Sequence, residues 1–359
     1  MNVTSLSGPS PPVRPASGRG SRATMRDVAA LAGVSLKTVS RVVNGEPGVS
    51  PDVRDRVRAA VGRLDYRPNL AASNLRRTGA RTGLVGALVQ DLSNSFSAGL
   101  LRALEDAARR RSTAVLAASL DEEAEREEAL VHDLVTRRVD GLVLMPASER
   151  QDYLVAELRT GTPAVFVDRP PRGVDADSVR VDNVEGSRAA TEHLLDLGHR
   201  RVAALLDIET IPTAEERRAG FTAAFTARGL RPDPRLVVPN LRSTDEATEV
   251  MHALLALDDP PTAVFTGRNI LSAGAVRALA ERGLRREVAL VGFDDFPLAD
   301  LLDPPLTVIR QDVQRIGATV ADLLFERIDG DTSPPRHVVI EPTLVARGSG
   351  EIPPPPRTR

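Results

Sequence analysis

The chain has 359 residues, 42% of them hydrophobic, a formal net charge of −2 and no cysteine. That length predicts two or three domains with buried cores, while the missing cysteine excludes disulfides, thiolate metal sites and cysteine nucleophiles, and no apolar run approaches the roughly 18 residues of a membrane span. Residues 1–82 hold 14 Lys+Arg against 5 Asp+Glu and the remainder 33 against 44, so a basic head precedes an acidic body, and the head is expected to meet a polyanion.

Residues 1–22 are rich in Pro, Ser, Gly and Arg and lack the apolar core of a secretory signal. They read as a disordered basic tail on a cytoplasmic protein. Thr24 is an N-cap with Asp27 three residues on, a variant of the capping box, and opens a helix over 25–31 with Val28, Ala29 and Leu31 as its apolar side. Gly33 ends it. Ser35 caps a second helix over 36–44, which stops at Gly45. On this helix Val39, Val42 and Val43 share one face; Leu36, Lys37, Thr38, Ser40, Arg41 and Asn44 occupy the other. Helix, glycine-containing turn and helix is the helix-turn-helix pattern. Ser50 and Pro51 begin a third helix over 51–64 with an inward stripe of Val53, Val57, Ala60, Val61 and Leu64. Lys37 is the only lysine beside 46 arginines. In the first turn of a recognition helix, its compact ammonium suits guanine O6 and N7 in the major groove. The bland reading is a solvated surface lysine, and Asn44 could equally be only a polar helix end.

"TMRDVAALAGVSLKTVSRVVNGEPGVSPDVRDRVRAAVGRLDYRPNLAASNLR" resembles the DNA-binding head of LacI/GalR-type transcriptional regulators, and the resemblance continues to about residue 346. It implies base-facing roles for Leu36, Lys37, Ser40 and Arg41, and backbone or positioning contacts for Thr24, Ser35, Thr38 and Asn44. In "RPNLAASNLRRTGARTG" a helix of two turns over 69–76 is too short to stand alone in water. The bland reading is a flexible linker. In the family this segment folds on DNA and a leucine wedges into the minor groove. Leu75 matches that leucine, Arg76 follows where phosphates lie, and Asn69 opens the segment. Two such hinges meeting at one step imply a homodimer on a near-palindromic operator.

From residue 82 onward, near-continuous apolar runs at 83–89, 114–119, 141–146, 164–169, 201–206, 263–267 and 288–293 alternate with helical stretches. This predicts parallel strands covered on both faces. The chain is therefore expected to be an all-α head, a hinge helix and a two-lobed doubly wound α/β body, which the resemblance makes periplasmic-binding-protein-like. The expected divisions are a tail to 22, a head over 23–66, a hinge over 67–80, a body over 81–346 and a Pro-rich tail over 347–359. Lobe one takes 81–182 and 311–334; lobe two takes 183–310 and 335–346. The implied crossings between lobes lie near residues 182–183, 309–311 and 334–336.

No dinucleotide fingerprint, P-loop or zinc-protease motif occurs, so neither catalysis nor a cofactor or metal is expected. "GHR" at 198–200 reads as a helix stop with a C-terminal imidazole. The acidic run at 118–129 reads as a solvated helix with an acid-rich first turn. Ligand is expected at the carboxyl ends of the strands. The resemblance assigns the effector cleft to Asn94, Phe96, Asp168, Arg217, Arg268, Asn269 and Asp294, with Asp295 and Arg169 behind them. Arg268 and Asn269 stand where the family usually shows Asn-Asp, and Arg268 is expected to add a positive charge. Residues 239–244 lack the stacking aromatic of many relatives. The expected effector is a small polar metabolite: a sugar phosphate, a sugar acid or a neutral sugar. Whether it releases or tightens the operator stays open. The other reading is a small-molecule receptor without a DNA role.

Overall fold

A computed structural model describes residues 23–43, 45–67 and 81–356, and the chain divides into two compact units, Met1–Thr82 and Gly83–Arg359. The expected tail to residue 22, the hinge residues Asn69, Leu75 and Arg76, and Asn44 lie outside the described residues.

In the first unit, α1 (Met25–Ala32) starts on a closed capping box. The Asp27 carboxylate accepts from the Thr24 backbone N–H at 2.7 Å, and the Thr24 hydroxyl accepts from the Asp27 N–H at 3.4 Å. Two of the orphan N–H groups at this helix end are thereby satisfied. Gly33 adopts φ 64° and turns the chain into α2 (Leu36–Val43), where Ser35 Oγ accepts from the Thr38 N–H at 3.1 Å. Helix α3 (Pro51–Arg63) follows, without a capping bond from the Ser50 side chain. The three helices close over Val28, Ala29, Ala32, Val39, Val57, Ala60 and Tyr66. Leu31, expected inward, is 45% exposed. The inward row of α1 is 28, 29 and 32, which follows the helical repeat more closely than a row through 31.

The second unit holds two six-stranded sheets of the same design. Lobe one is built from β1 (Leu84–Val89), α4 (Ser95–Arg110), β2 (Ala114–Ser119), α5 (Ala124–Thr136), β3 (Gly141–Leu144), α6 (Val155–Thr160), β4 (Ala164–Val167) and β5 (Asp177–Val181). Lobe two continues with α7 (Asn183–Asp196), β6 (Val202–Leu205), α8 (Pro212–Thr226), β7 (Val237–Val238), α9 (Thr244–Leu255), β8 (Ala263–Thr266), α10 (Asn269–Glu281), β9 (Ala289–Phe293) and β10 (Thr307–Arg310). The chain then returns through α11 (Val313–Ile328) and β11 (His337–Ile340) to lobe one, and ends with β12 (Thr343–Val345) in lobe two. The strand orders are β11-β5-β4-β3-β1-β2 and β12-β10-β9-β8-β6-β7. All pairings are parallel except β10 with β12. Each sheet carries one apolar cluster per face, which explains the unbroken apolar runs of the central strands; the edge strand β2 keeps Ala114, Leu116 and Ala117 exposed.

Two expected boundaries move. Strand β11 pairs in parallel with β5, His337 opposite Ser178 through Ile340 opposite Val181. Residues 335–340 therefore belong to lobe one, and the third crossing falls at 341–342 rather than 334–336. Nor is 347–352 a free tail. The Ser349 carbonyl accepts from Leu290 N–H at 2.9 Å, its side chain is buried, and Arg347 forks onto Asp295. His199, expected at a helix end, is fully buried between the Thr262 hydroxyl at 2.9 Å and the Ile352 carbonyl at 2.8 Å, and burial lowers its pKa.

Candidate functional site

The first site is the outer face of α2. Its first turn presents Ser35, Leu36 and Lys37 to solvent, and Leu36 is 44% exposed. An apolar side chain left exposed on the first turn of a short helix, outside the apolar cluster of the described residues, suits contact with a thymine methyl. Ser35 and Thr38 share a hydroxyl–hydroxyl bond of 2.9 Å. Thr38, Ser40 and Arg41 are partly buried. Arg41 bends back towards the following turn: its Nε lies 3.7 Å from Glu46, and its guanidinium lies over Gly48, at φ 90°, where a Cβ would meet it at 3.4 Å. Thr24 is occupied in its cap.

The second site lies between the lobes, at the carboxyl ends of the strands. Asp168 follows β4 and Asp294 follows β9, which hold the same place in the two strand orders. Both aspartates adopt left-handed backbone conformations, φ 69° and 71°. Each donates its N–H to a carbonyl of the adjacent strand, Asp168 to Val179 at 3.0 Å and Asp294 to Ile309 at 2.9 Å. Such conformations cost a non-glycine residue energy and cluster at ligand sites, with aspartate among the residues that tolerate them.

Their surroundings differ. Asp294 accepts from Gln311 Nε2 at 2.5 Å and lies 4.0 Å from an Arg217 nitrogen. Arg217, only 6% exposed, is fixed by Asn183 Oδ1 at 2.9 Å, the Gly267 carbonyl at 2.6 Å and the Phe293 ring, whose centroid lies 4.0 Å from the guanidinium carbon. Helix α8 carries this arginine close to α7 because Gly220 has no side chain: a Cβ there would meet the Val184 carbonyl at 2.2 Å. Asp168 has weaker support. Burial pushes its carboxyl above the usual range, against the pull of Arg169 and Arg217. The Arg169 Nε is 3.7 Å away, but that guanidinium forks onto Glu122 at 2.7 and 2.6 Å and onto the Pro146 carbonyl.

Asn94 caps α4, with its side chain accepting from Phe96 N–H at 3.0 Å. Its amide also meets Asn269 of lobe two at 3.1 Å, and Asn269 reaches Ser95 at 3.0 Å. Phe96 packs partly buried on the lobe-one core. The structure thus groups Asp168, Arg217 and Asp294 at one point and Asn94 with Asn269 at another. Arg268 differs from expectation: its charge is met by Asp207 at 2.9 Å, so it adds no free cation to the cleft. Asp207, Gln311, Asn183 and Glu122 are the polar residues here that the sequence reading did not assign to the effector. The signal for Asp207 was present, since "AALLD" repeats the apolar run ending in aspartate of "AVFVD" and "LVGFD". Among the described residues no group of His, Asp and Glu could hold a metal ion, and no helix is long and apolar enough to cross a membrane.

Residues 24–69 match the bacterial regulatory proteins of the lacI family, and residues 191–350 match the periplasmic binding protein-like domain. The chain is 32% identical to the ribose operon repressor of Escherichia coli (strain K12), over 91% of this chain and 99% of that protein. Two solved structures are also similar. One is the lac repressor dimer bound to operator and the anti-inducer ONPF, at 29% identity and TM-score 0.81, covering 92% of this chain and 99% of that one. The other is the transcriptional regulator CelR–cellobiose complex, at 33% identity and TM-score 0.68, covering 92% and 100%.

Proposed function

Because the chain belongs to the LacI family of bacterial regulatory proteins, and is therefore a DNA-binding transcriptional regulator, we propose that it is a cytoplasmic homodimeric repressor. On this reading it catalyses no reaction, and a sugar or sugar-derived effector sets its affinity for a near-palindromic operator. The alternative of a receptor without a DNA role has no account of residues 24–69. The observation that carries the reading is the exposed first turn of α2 on a helix-turn-helix frame. It offers Leu36 and Lys37 to base edges, with Ser40 and Arg41 one turn on and Thr24, Ser35, Thr38 and Asn44 as positioning groups. Asn69, Leu75 and Arg76 serve the hinge, Leu75 as the minor-groove wedge. The effector reading is supported by Asp168, Arg217 and Asp294 converging at strand ends, and by relatives named for ribose and complexed with cellobiose. Asn94, Phe96, Arg268 and Asn269 line the same cleft.

Gel-shift titration against palindromic upstream fragments tests the DNA role. Binding is expected to prefer one such fragment over random DNA and to fall steeply with salt, as phosphate contacts release counterions. Equal affinity for all sequences, with and without candidate sugars, overturns it. Lys37→Ala is expected to cost about 1–3 kcal/mol on the preferred site and to relax one symmetric base position; a loss equal on every sequence would make Lys37 a phosphate contact.

A further inference from the structure

The geometry points to Asp207 as a specificity-determining residue: by neutralising Arg268, it makes the cleft select uncharged, hydroxyl-rich effectors and reject phosphorylated or carboxylated ones. This rests on the reading that the cleft binds a sugar-type effector, and it chooses among the sugar classes that reading allows. Asp207 lies two residues beyond β6, is 8% exposed, and holds both oxygens in place: one accepts from Ile208 N–H at 2.8 Å, the other from Arg268 at 2.9 Å. The neighbouring Asn269 touches Asn94 and Ser95 of lobe one directly.

Three arginines at the strand ends are each engaged by a carboxylate. Arg169 forks onto Glu122, Arg268 bonds to Asp207, and Arg217 faces Asp294 while holding Asn183 and Gly267. Four carboxylates, Glu122, Asp168, Asp207 and Asp294, thus meet three guanidiniums. An incoming anion would have to break a shielded ion pair to gain a cation, and it would add charge beside Asp168, which burial already disfavours as an anion. One unsatisfied group points the same way. Gln311 Oε1, on an amide whose nitrogen is taken by Asp294, is a buried acceptor without a partner, and Arg169 Nε is a buried donor without one. A hydroxyl can donate to the Gln311 oxygen, whereas a phosphate or carboxylate group can only accept and would leave it unpaired; the Arg169 N–H can donate to either.

Isothermal titration of the full chain tests this with D-ribose, cellobiose, D-ribose 5-phosphate and inorganic phosphate as probes. The parent is expected to bind neither anionic probe at millimolar concentration. Asp207→Asn frees Arg268 and is expected to bind ribose 5-phosphate about tenfold or more tighter than the parent. The double variant Asp207→Asn/Arg268→Gln is expected to lose that gain. Asp207→Ser serves where the Asn variant does not fold, as judged by thermal unfolding. Tight binding of the phosphate ester by the parent overturns the inference, as does an Asp207 variant that gains nothing or a double variant that keeps the gain. Failure of neutral sugars alone to bind the parent would instead tell against the sugar-type reading, because the anion comparison of parent with variants is read without them.

Discussion

The two lobes repeat one strand order, and each ends its β4 or β9 position on an aspartate in a left-handed turn, yet the two carboxylates are kept differently. In lobe two, Asp294 is held by Gln311 and faced by Arg217. In lobe one the adjacent cation, Arg169, is drawn off by Glu122, and Asp168 is left desolvated. Strand order decides where a polar group emerges; the residues of neighbouring loops and helices decide its charge. One lobe thus offers a preorganised charged network and the other a carboxyl that a ligand's hydroxyl groups would stabilise.

The largest test removes the cation of lobe two. Arg217→Ala leaves Asn183 Oδ1 and the Gly267 carbonyl without their buried donor and Asp294 without its counter-ion. Breaking such a network is expected to cost about 3–5 kcal/mol of body stability and to abolish effector binding, as read by denaturant unfolding and calorimetry. A variant that unfolds at the parent's midpoint and binds the parent's hits as tightly would remove Arg217 from the cleft.

Next come the two aspartates themselves, for which opposite signs are expected. Asp294→Asn should destabilise by about 1–3 kcal/mol, because a charged acceptor of Gln311 and counter-ion of Arg217 is lost. Asp168→Asn should leave stability unchanged or raise it at neutral pH, since the variant drops a charge that burial penalises. The pH dependence follows from the raised carboxyl. In the unfolded chain Asp168 titrates near about 3.9. The folded state keeps its proton to higher pH, so the stabilising contribution is complete below that value and is lost as pH rises through the folded pKa. Relative to the parent, Asp168→Asn should therefore gain stability as pH increases across that window. Effector binding by the parent should strengthen over the same window if ligand hydroxyls donate to the carboxylate. Equal pH profiles for parent and variant would show Asp168 to be an ordinary solvated acid.

What the sequence made legible follows the range of the interactions. The three-helix head was readable because caps, turn glycines and the valine stripe all act within a few residues. The seven apolar runs each became a strand; in six of them burial on both faces leaves the unbroken pattern, while the edge strand β2 stays largely exposed. Strand β5 was missed because it opens on Asp177, whose full burial depends on Arg327, 150 residues away. The Asp207–Arg268 pair spans 61 residues and the Asn94–Asn269 pair 175; no local pattern encodes either. The acidic run at 118–129 does open a helix with an acid-rich first turn, but it is not wholly solvated, for the same reason. Glu122 serves Arg169 across a loop, and Glu127 is fully buried, accepting from the Ala147 and Ser148 N–H groups and the Tyr153 hydroxyl.

The smallest expected effect lies where the lobes touch. Asn269 gives its amide to both Asn94 and Ser95, while its own Oδ1 accepts from Asn94 and from the Ile270 N–H. Asn269→Ala removes the cross-lobe bonds and leaves the lobes' cores intact. Neutral hydrogen bonds of this kind contribute about 0.5–1.5 kcal/mol net, so the folded state should lose little stability. The lobe arrangement is more sensitive, because the bonds exist only when the two lobes stand as they do here. A ligand changes operator affinity only through its differential affinity for the lobe arrangements, and Asn269→Ala alters the same equilibrium without ligand. If the effector favours the arrangement in which these amides meet, the variant should bind effector a few-fold more weakly, and its operator affinity should move in the direction opposite to that produced by effector. Calorimetry and gel shifts on one protein read both quantities. A variant that changes effector affinity but leaves the ligand-free operator affinity at the parent's value would show that Asn269 contacts the ligand without setting the lobes.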